Sequence, residues 1–174
     1  MKNVFHINRH IEPGQYRLVE VFPDIRTCDI LSAIFADAEE IDRVLANTEV
    51  VIVGEPTEVC NEMSVDNNDG SITINQPCLH RSSDEILYLD IIHELCHVKQ
   101  HLQGRNLYDT SKSYVDRETE IEAYQVTVRE ARRIGLSDDA IFDYLCVSWI
   151  TPEEQSELAR RLGVTAGIQE GGLQ

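Results

Sequence analysis

Two histidines four residues apart, with a glutamate beside the first, make His93-Glu94-Leu95-Cys96-His97 the one stretch of this chain whose spacing carries chemistry. On an α-helix that interval stacks both imidazoles on one face, one turn apart, with about 6 Å of rise between them. At that separation they can close on one ion with bonds of about 2.0–2.1 Å. Glu94 lies one residue on and is turned by about 100°, so it is badly placed to share the ion but can reach a water bound to it. Two nitrogen ligands and a displaced carboxylate are the parts that hydrolysis at a zinc-bound water requires, and the pattern points to a metallopeptidase.

The motif needs a helix to carry it. Ser82-Ser83-Asp84-Glu85 offers Ser82 as N-cap with Glu85 three residues on, the capping-box spacing. Ile86, Leu87, Leu89, Ile91, Ile92, Leu95 and Val98 then supply apolar surface around most of the circumference, which predicts a buried helix. Gly104 stands where a C-terminal cap belongs, giving a helix of roughly 20 residues with His93 and His97 near its middle. Read instead as a pair of core histidines, the motif would leave Glu94 as a third polar group needing burial or pairing.

A catalytic zinc takes three protein ligands and keeps one position for water. An extended motif with a third histidine fails here, because Gln100 stands at its glycine position and Gln103 at its histidine position. His101 keeps the four-residue interval but lies about 12 Å of rise from His93, too far to share one ion. The remaining route is a glutamate from a second helix. Beyond the polar link Gly104 to Ser113, the stretch Asp116 to Ile134 has helical composition, and Gly135 stops it. Glu120 shares its face with Ala123, Tyr124, Thr127, Ala131 and Ile134, a small or apolar stripe suited to close packing. Glu122 shares its face with Gln125, Val126 and Arg129, and Glu118 meets Gln125 and Arg129, so both read as surface charges. Glu120 is therefore the expected third ligand.

These residues resemble the gluzincin clan of zinc metallopeptidases, and most closely its small single-domain members, the minigluzincins. The resemblance rests on His93-Glu94-x-x-His97 followed 23 residues later by Glu120-Ile121-Glu122-Ala123, with Tyr114 and Arg117 in the approach to the second helix. It covers roughly Ser82 to Gly135, about a third of the chain. It implies a zincin-like fold, Zn2+ held by His93, His97 and Glu120, and Glu94 as the general base that activates water and then protonates the leaving amine. It implies a peptide or protein substrate, with Ser71 to Gln76 as an edge strand lining the cleft. In small gluzincins a terminal segment can fill the active site, so latency belongs to the expectation. Asp90 and Lys99 depart from the uncharged flanks of the longer zincin pattern, and Tyr124 stands where thermolysin-like enzymes carry an aspartate. A group that orients a histidine must therefore come from elsewhere. The donor for a developing oxyanion is open among Tyr114, Tyr124, His101, His80 and Arg117.

The rest of the chain bounds the setting. Its 174 residues fit a single domain spanning 1–174. No apolar run approaches 18 residues, and Met1 to His6 lacks a signal-peptide core, so a cytoplasmic location is expected. Cys28, Cys60, Cys78, Cys96 and Cys146 are an odd number at irregular spacing, which argues against a disulfide framework. A net charge of −16, from 31 acidic and 15 basic residues, opposes nucleic acid and anionic membranes as partners. Oligomeric state stays open. Thr165 to Gln174 has the composition of a flexible tail.

The expected fold class is α+β. Gln15 to Phe22 reads as a strand, Asp29 to Asn47 as an amphipathic helix, and Val50 to Val53 as a short buried strand. Met63 to Val65 and Ser71 to Ile74 flank a turn at Asp66 to Gly70, which predicts a hairpin. Ser137 to Ile150 reads as a helix, and Thr151-Pro152-Glu153-Glu154 starts another that Gly163 stops. Two functions from different classes remain: a zinc metallopeptidase, or a non-hydrolytic interaction or regulatory module folded around zinc. Three protein ligands with a place for water favour the first, and four protein ligands the second.

Overall fold

The computed structural model describes residues 5–54 and 63–165, an α+β arrangement in which a four-stranded mixed sheet precedes a run of helices. Contacts divide the chain into two compact units, Met1–Asp109 and Thr110–Gln174.

In the first unit the sheet comprises β1 (Gly14–Arg17), β2 (Glu49–Val53), β3 (Met63–Val65) and β4 (Ile72–Asn75), in the order β1-β2-β4-β3. Alternation sets the register. Val50 and Ile52 point to the core beside Ile72 and Ile74, with which they pair in parallel, while Met63 and Val65 pair antiparallel with Ile74 and Ile72. The expected hairpin forms through Asp66, whose carboxylate accepts from the Asn68 amide at 2.7 Å while its carbonyl accepts from Gly70 at 2.9 Å. The expected edge strand does not. β4 has β2 on one side and β3 on the other, so its backbone is already paired, and among the described residues the sheet edges are β1 and β3.

Two other boundaries differ from expectation. The first strand ends at Arg17, and Leu18–Val21 form a short helix, α1. A turn of helix puts Leu18 and Val21 on one side, where both are fully buried, and the Glu20 carboxylate accepts from the Arg17 amide at 2.7 Å. The helix expected from Asp29 to Asn47 is two helices, α2 (Leu31–Ile34) and α3 (Ala38–Asn47). Asp37 interrupts it in an extended conformation and caps α3 by accepting from the Glu40 amide at 2.8 Å. Glu40 in turn accepts from the Ala36 amide and pairs with Lys99, which holds its carboxyl below the usual carboxylate range.

Helix α4 (Gln76–Arg81) leads into α5 (Asp84–Leu102), the helix of the histidine motif. Its N-cap is Ser83, one residue beyond the expected Ser82, with Ser83 Oγ accepting from the Ile86 amide at 3.2 Å. Arg9 fixes the junction. Its guanidinium donates to the Leu79 carbonyl at 2.8 Å and the Ser82 carbonyl at 2.9 Å, and pairs with Asp84. At the other end Gly104 takes φ +73°, and Arg105 donates to the Gln100 carbonyl at 3.1 Å, closing a Schellman turn. Every residue from Leu87 to Val98 is buried, and α5 contacts β3 and α2 within the unit.

The second unit opens with a 3-10 turn at Tyr114–Asp116 and continues as α6 (Glu118–Arg133), α7 (Asp138–Tyr144) and α8 (Pro152–Arg161). The helix expected from Asp116 thus begins two residues later. The helix expected to reach Ile150 ends at Tyr144. Val147, Ser148 and Ile150 are indifferent helix formers, and Pro152 disfavours helical backbone at Thr151. The expected start of α8 is present as a full capping box between Thr151 and Glu154, and Gly163 follows at φ +65°. Arg161 ties the end of α8 to the 3-10 turn through the Val115 carbonyl at 3.0 Å and Asp116 at 2.7 Å.

Cys28, Cys78, Cys96 and Cys146 are thiols, so no disulfide occurs among the described residues. Cys60, Met1 to Val4, and residues 166–174 of the expected tail lie outside the described residues. Among those described, no helix is long and apolar enough to cross a membrane.

Candidate metal centre

His93 and His97 lie mid-helix in α5 and are 7% and 6% exposed. The four-residue interval brings their rings to a centroid separation of 4.7 Å at 78°, with the two Nε2 atoms 3.0 Å apart. Two ligands of one tetrahedral ion at about 2.0–2.1 Å stand about 3.3 Å apart, so these nitrogens are at nearly that spacing already. Glu94, next along the helix, is 7% exposed. Cys96 is buried, and Cys78 Sγ, in α4, sits 3.3 Å from Ser82 Oγ.

Behind His97, Gln100 Oε1 lies 2.8 Å from Nδ1, and Gln100 is itself 4% exposed. A carboxamide oxygen can only accept, so this contact calls for the proton on Nδ1, the tautomer that leaves Nε2 a lone pair. The sequence reading did not single out Gln100 for this role. The signal was available, because residues three apart on a helix are neighbours.

Of the four glutamates on α6, the three candidates at 118, 120 and 122 separate by burial, and Glu130, also buried, is paired with Arg133 at 2.6 Å. Glu120 is 5% exposed, the side chain of Glu118 is 72% exposed and pairs with Lys112 at 3.1 Å, and Glu122 is exposed. Tyr114 and Tyr124 share a hydrogen bond of 2.9 Å between hydroxyls, and Tyr114 also bonds Glu120. Burial first, then the neighbouring Tyr124 and Glu120, push the Tyr114 hydroxyl well above the ordinary phenol range. It stays protonated at neutral pH, and a carboxylate is the acceptor it meets. Trp149 packs edge-on to Tyr114 at 5.5 Å, Tyr144 packs against Tyr124 at 6.5 Å, and the Arg117 guanidinium lies 5.8 Å from the Tyr114 ring.

His93, His97 and Glu120 each offer one ligand atom, and these atoms lie within 4.8 Å of one another. Two imidazoles and a carboxylate, all buried, are a donor set that a borderline-soft divalent cation such as zinc accepts. The triad is a possible metal site, and the identity of the ion follows only from that donor chemistry. Among the described residues the group contains three protein ligands.

The other histidines of the sequence reading lie elsewhere. His101 is half-buried and packs on the hairpin turn, where a Cβ built on Gly70 would stand 2.6 Å from its ring. His80 is exposed at the end of α4. Lys99, charged where the zincin pattern prefers otherwise, is occupied by Glu40 and lies 5.9 Å from the Phe35 ring. Compared with models of protein families, with curated proteins and with solved structures, the chain has no match.

Proposed function

We propose that this chain is a zinc-dependent metallopeptidase of the gluzincin type, with His93, His97 and Glu120 as ligands and Glu94 as general base. The convergence of two imidazole nitrogens and one carboxylate oxygen within 4.8 Å carries this reading. Among the described residues the group has three protein ligands and not four, which favours this reading over a zinc-stabilised module. Zinc bound there supplies a Lewis acid for the scissile carbonyl and lowers the pKa of a water towards 7.

The chain's own residues do the rest. Glu94 follows His93 on α5 and stands about 100° round the helix from it, badly placed to share the ion but within reach of a water on it, the position of a general base. It takes a proton from the attacking water as the oxygen adds to the carbonyl carbon. It returns that proton to the amine nitrogen as the C–N bond breaks. Tyr114 holds Glu120 through its protonated hydroxyl, and Gln100 holds His97. With β4 paired on both sides, β3, an edge strand in contact with α5, is the strand that an extended peptide would join.

Zinc content of the purified full chain, followed by cleavage of a denatured protein substrate with and without Glu94→Gln, tests this. Stoichiometric zinc, cleavage, and loss of cleavage in Glu94→Gln are expected. A silent full chain that cleaves once residues 166–174 are removed identifies a latent form of the same enzyme. Failure to bind zinc overturns the reading, and zinc without cleavage in either form replaces it with the non-hydrolytic module.

A further inference from the structure

We infer that Gln100 is a positioning residue that fixes the imidazole tautomer of His97 and thereby makes it a zinc ligand; the inference rests on the metallopeptidase reading for its consequence. A histidine binds metal through a nitrogen that carries no proton, so the other nitrogen must be held protonated. In many metal sites a carboxylate or backbone carbonyl does this. Here the histidine and its partner are on the same helix, three residues apart, with Gln100 Oε1 at 2.8 Å from His97 Nδ1. Gln100 is 4% exposed and His97 6% exposed, so bulk water does not compete for Nδ1.

The rest of α5 keeps this arm in place. Gln100 lies in the last turn, whose backbone is closed by the Schellman bond from Arg105 to its carbonyl at 3.1 Å and by Gly104 at φ +73°. Its neighbour Lys99 is pinned to Glu40 of α3. The main chain at position 100 is thus fixed from both sides. A neutral carboxamide also adds no charge to the site, whereas an aspartate or glutamate would add one and hold the imidazole more tightly. With Nδ1–H committed to Gln100, His97 Nε2 is the bare nitrogen facing His93 Nε2 at 3.0 Å.

Three readouts on the full-length chain test this. Long-range proton–nitrogen correlation spectra of the zinc-free protein report the His97 tautomer, competition with a chromophoric chelator reports zinc affinity, and thermal unfolding reports structure. Gln100→Met keeps length and volume but removes the acceptor; Gln100→Glu keeps an acceptor. The expected results are an Nδ1–H tautomer at His97 in the wild type, and zinc binding about 10–100-fold weaker in Gln100→Met. Gln100→Glu should retain both the tautomer and the affinity. An Nε2–H tautomer in the wild type overturns the inference, as does a Gln100→Met variant that binds zinc like the wild type while only its unfolding temperature falls. Should Gln100→Met fail to fold, the wild-type spectrum and Gln100→Glu decide. A wild type that shows the Nδ1–H tautomer but binds no zinc sinks the enzymatic reading and spares the assignment of Gln100.

Discussion

Helix α5 is buried from Leu87 to Val98 with no solvated side, whereas α6 is buried along one stripe that includes Glu120, Ala123, Tyr124, Thr127 and Ala131. The two helices therefore reveal their candidate site residues by different physics. On α5 burial discriminates nothing, since Asp90, His93, Glu94 and His97 are all within 9% exposure. Only the interval between residues distinguishes candidate ligand from neighbour. On α6 the interval is uninformative, because glutamates stand at 118, 120, 122 and 130; burial keeps Glu120 and Glu130, and Glu130 is taken by Arg133, which leaves Glu120. A carboxylate is not carried into an apolar stripe without a partner that repays its desolvation.

The strongest way to break this comparison is to remove candidate ligands from both helices. His97→Ala and Glu120→Ala should each abolish stoichiometric zinc, measured by elemental analysis after gel filtration. Glu118→Ala and Glu122→Ala should leave zinc content unchanged, and loss of zinc in either would show that burial on α6 picked the wrong glutamate. Next in size is Glu94→Gln, which alters α5 beside a ligand without being one. Cleavage should fall by about 10²–10⁴ with zinc retained, as expected when a general base is removed. Chelation comes third: at free zinc of about 1,000 times its Kd, linkage stabilises the folded chain by about 4 kcal/mol. Thermal unfolding of His97→Ala should not respond to chelator.

A smaller comparison sharpens what His101 does. Gly70 and Gly104 both take positive φ, but a Cβ at Gly70 would meet the His101 ring at 2.6 Å while one at Gly104 would meet nothing within 4 Å. Alanine at Gly104 should cost about 1 kcal/mol of backbone strain, and alanine at Gly70 measurably more by urea denaturation. Equal losses would mean that His101 gives way freely.

The least effect belongs to the surface of the second unit. The Arg160 and then the Arg161 guanidinium hold the Glu157 carboxyl at about 2, below its ordinary 4.5. A depressed carboxyl stabilises the fold at pH above about 4.5, and that contribution disappears as pH falls through about 2. Glu157→Gln should therefore flatten the acid limb of the stability curve between those values, and carbon-13 titration of the carboxyl should show a midpoint near 2.

Much of this was legible in the residues. The α5 helix, the 66–70 hairpin turn and the capping box of α8 announce themselves through local chemistry, and their stop glycines do as well. The break at Asp37 was also locally encoded, since Asp37 and Glu40 have the spacing of a helix start, but apolar periodicity across the gap masked it. The place of β4 was not encoded locally. Its sequence suits an edge or an interior strand equally, and only pairing with Val50 and Ile52 from elsewhere in the chain decides. At the candidate site, the small and apolar neighbours on its helical face single out Glu120, while Gln100 stands at a motif position it does not fill and shows its part only through His97, three residues away on the same helix.

The central claim concerns one ion and three side chains. Anomalous diffraction at the zinc edge from zinc-loaded crystals should give one peak within about 2.0–2.2 Å of His93 Nε2, His97 Nε2 and a Glu120 oxygen, with a water in the remaining position. A peak bonded to other residues, a fourth protein ligand, or no peak at the histidine pair would contradict the account.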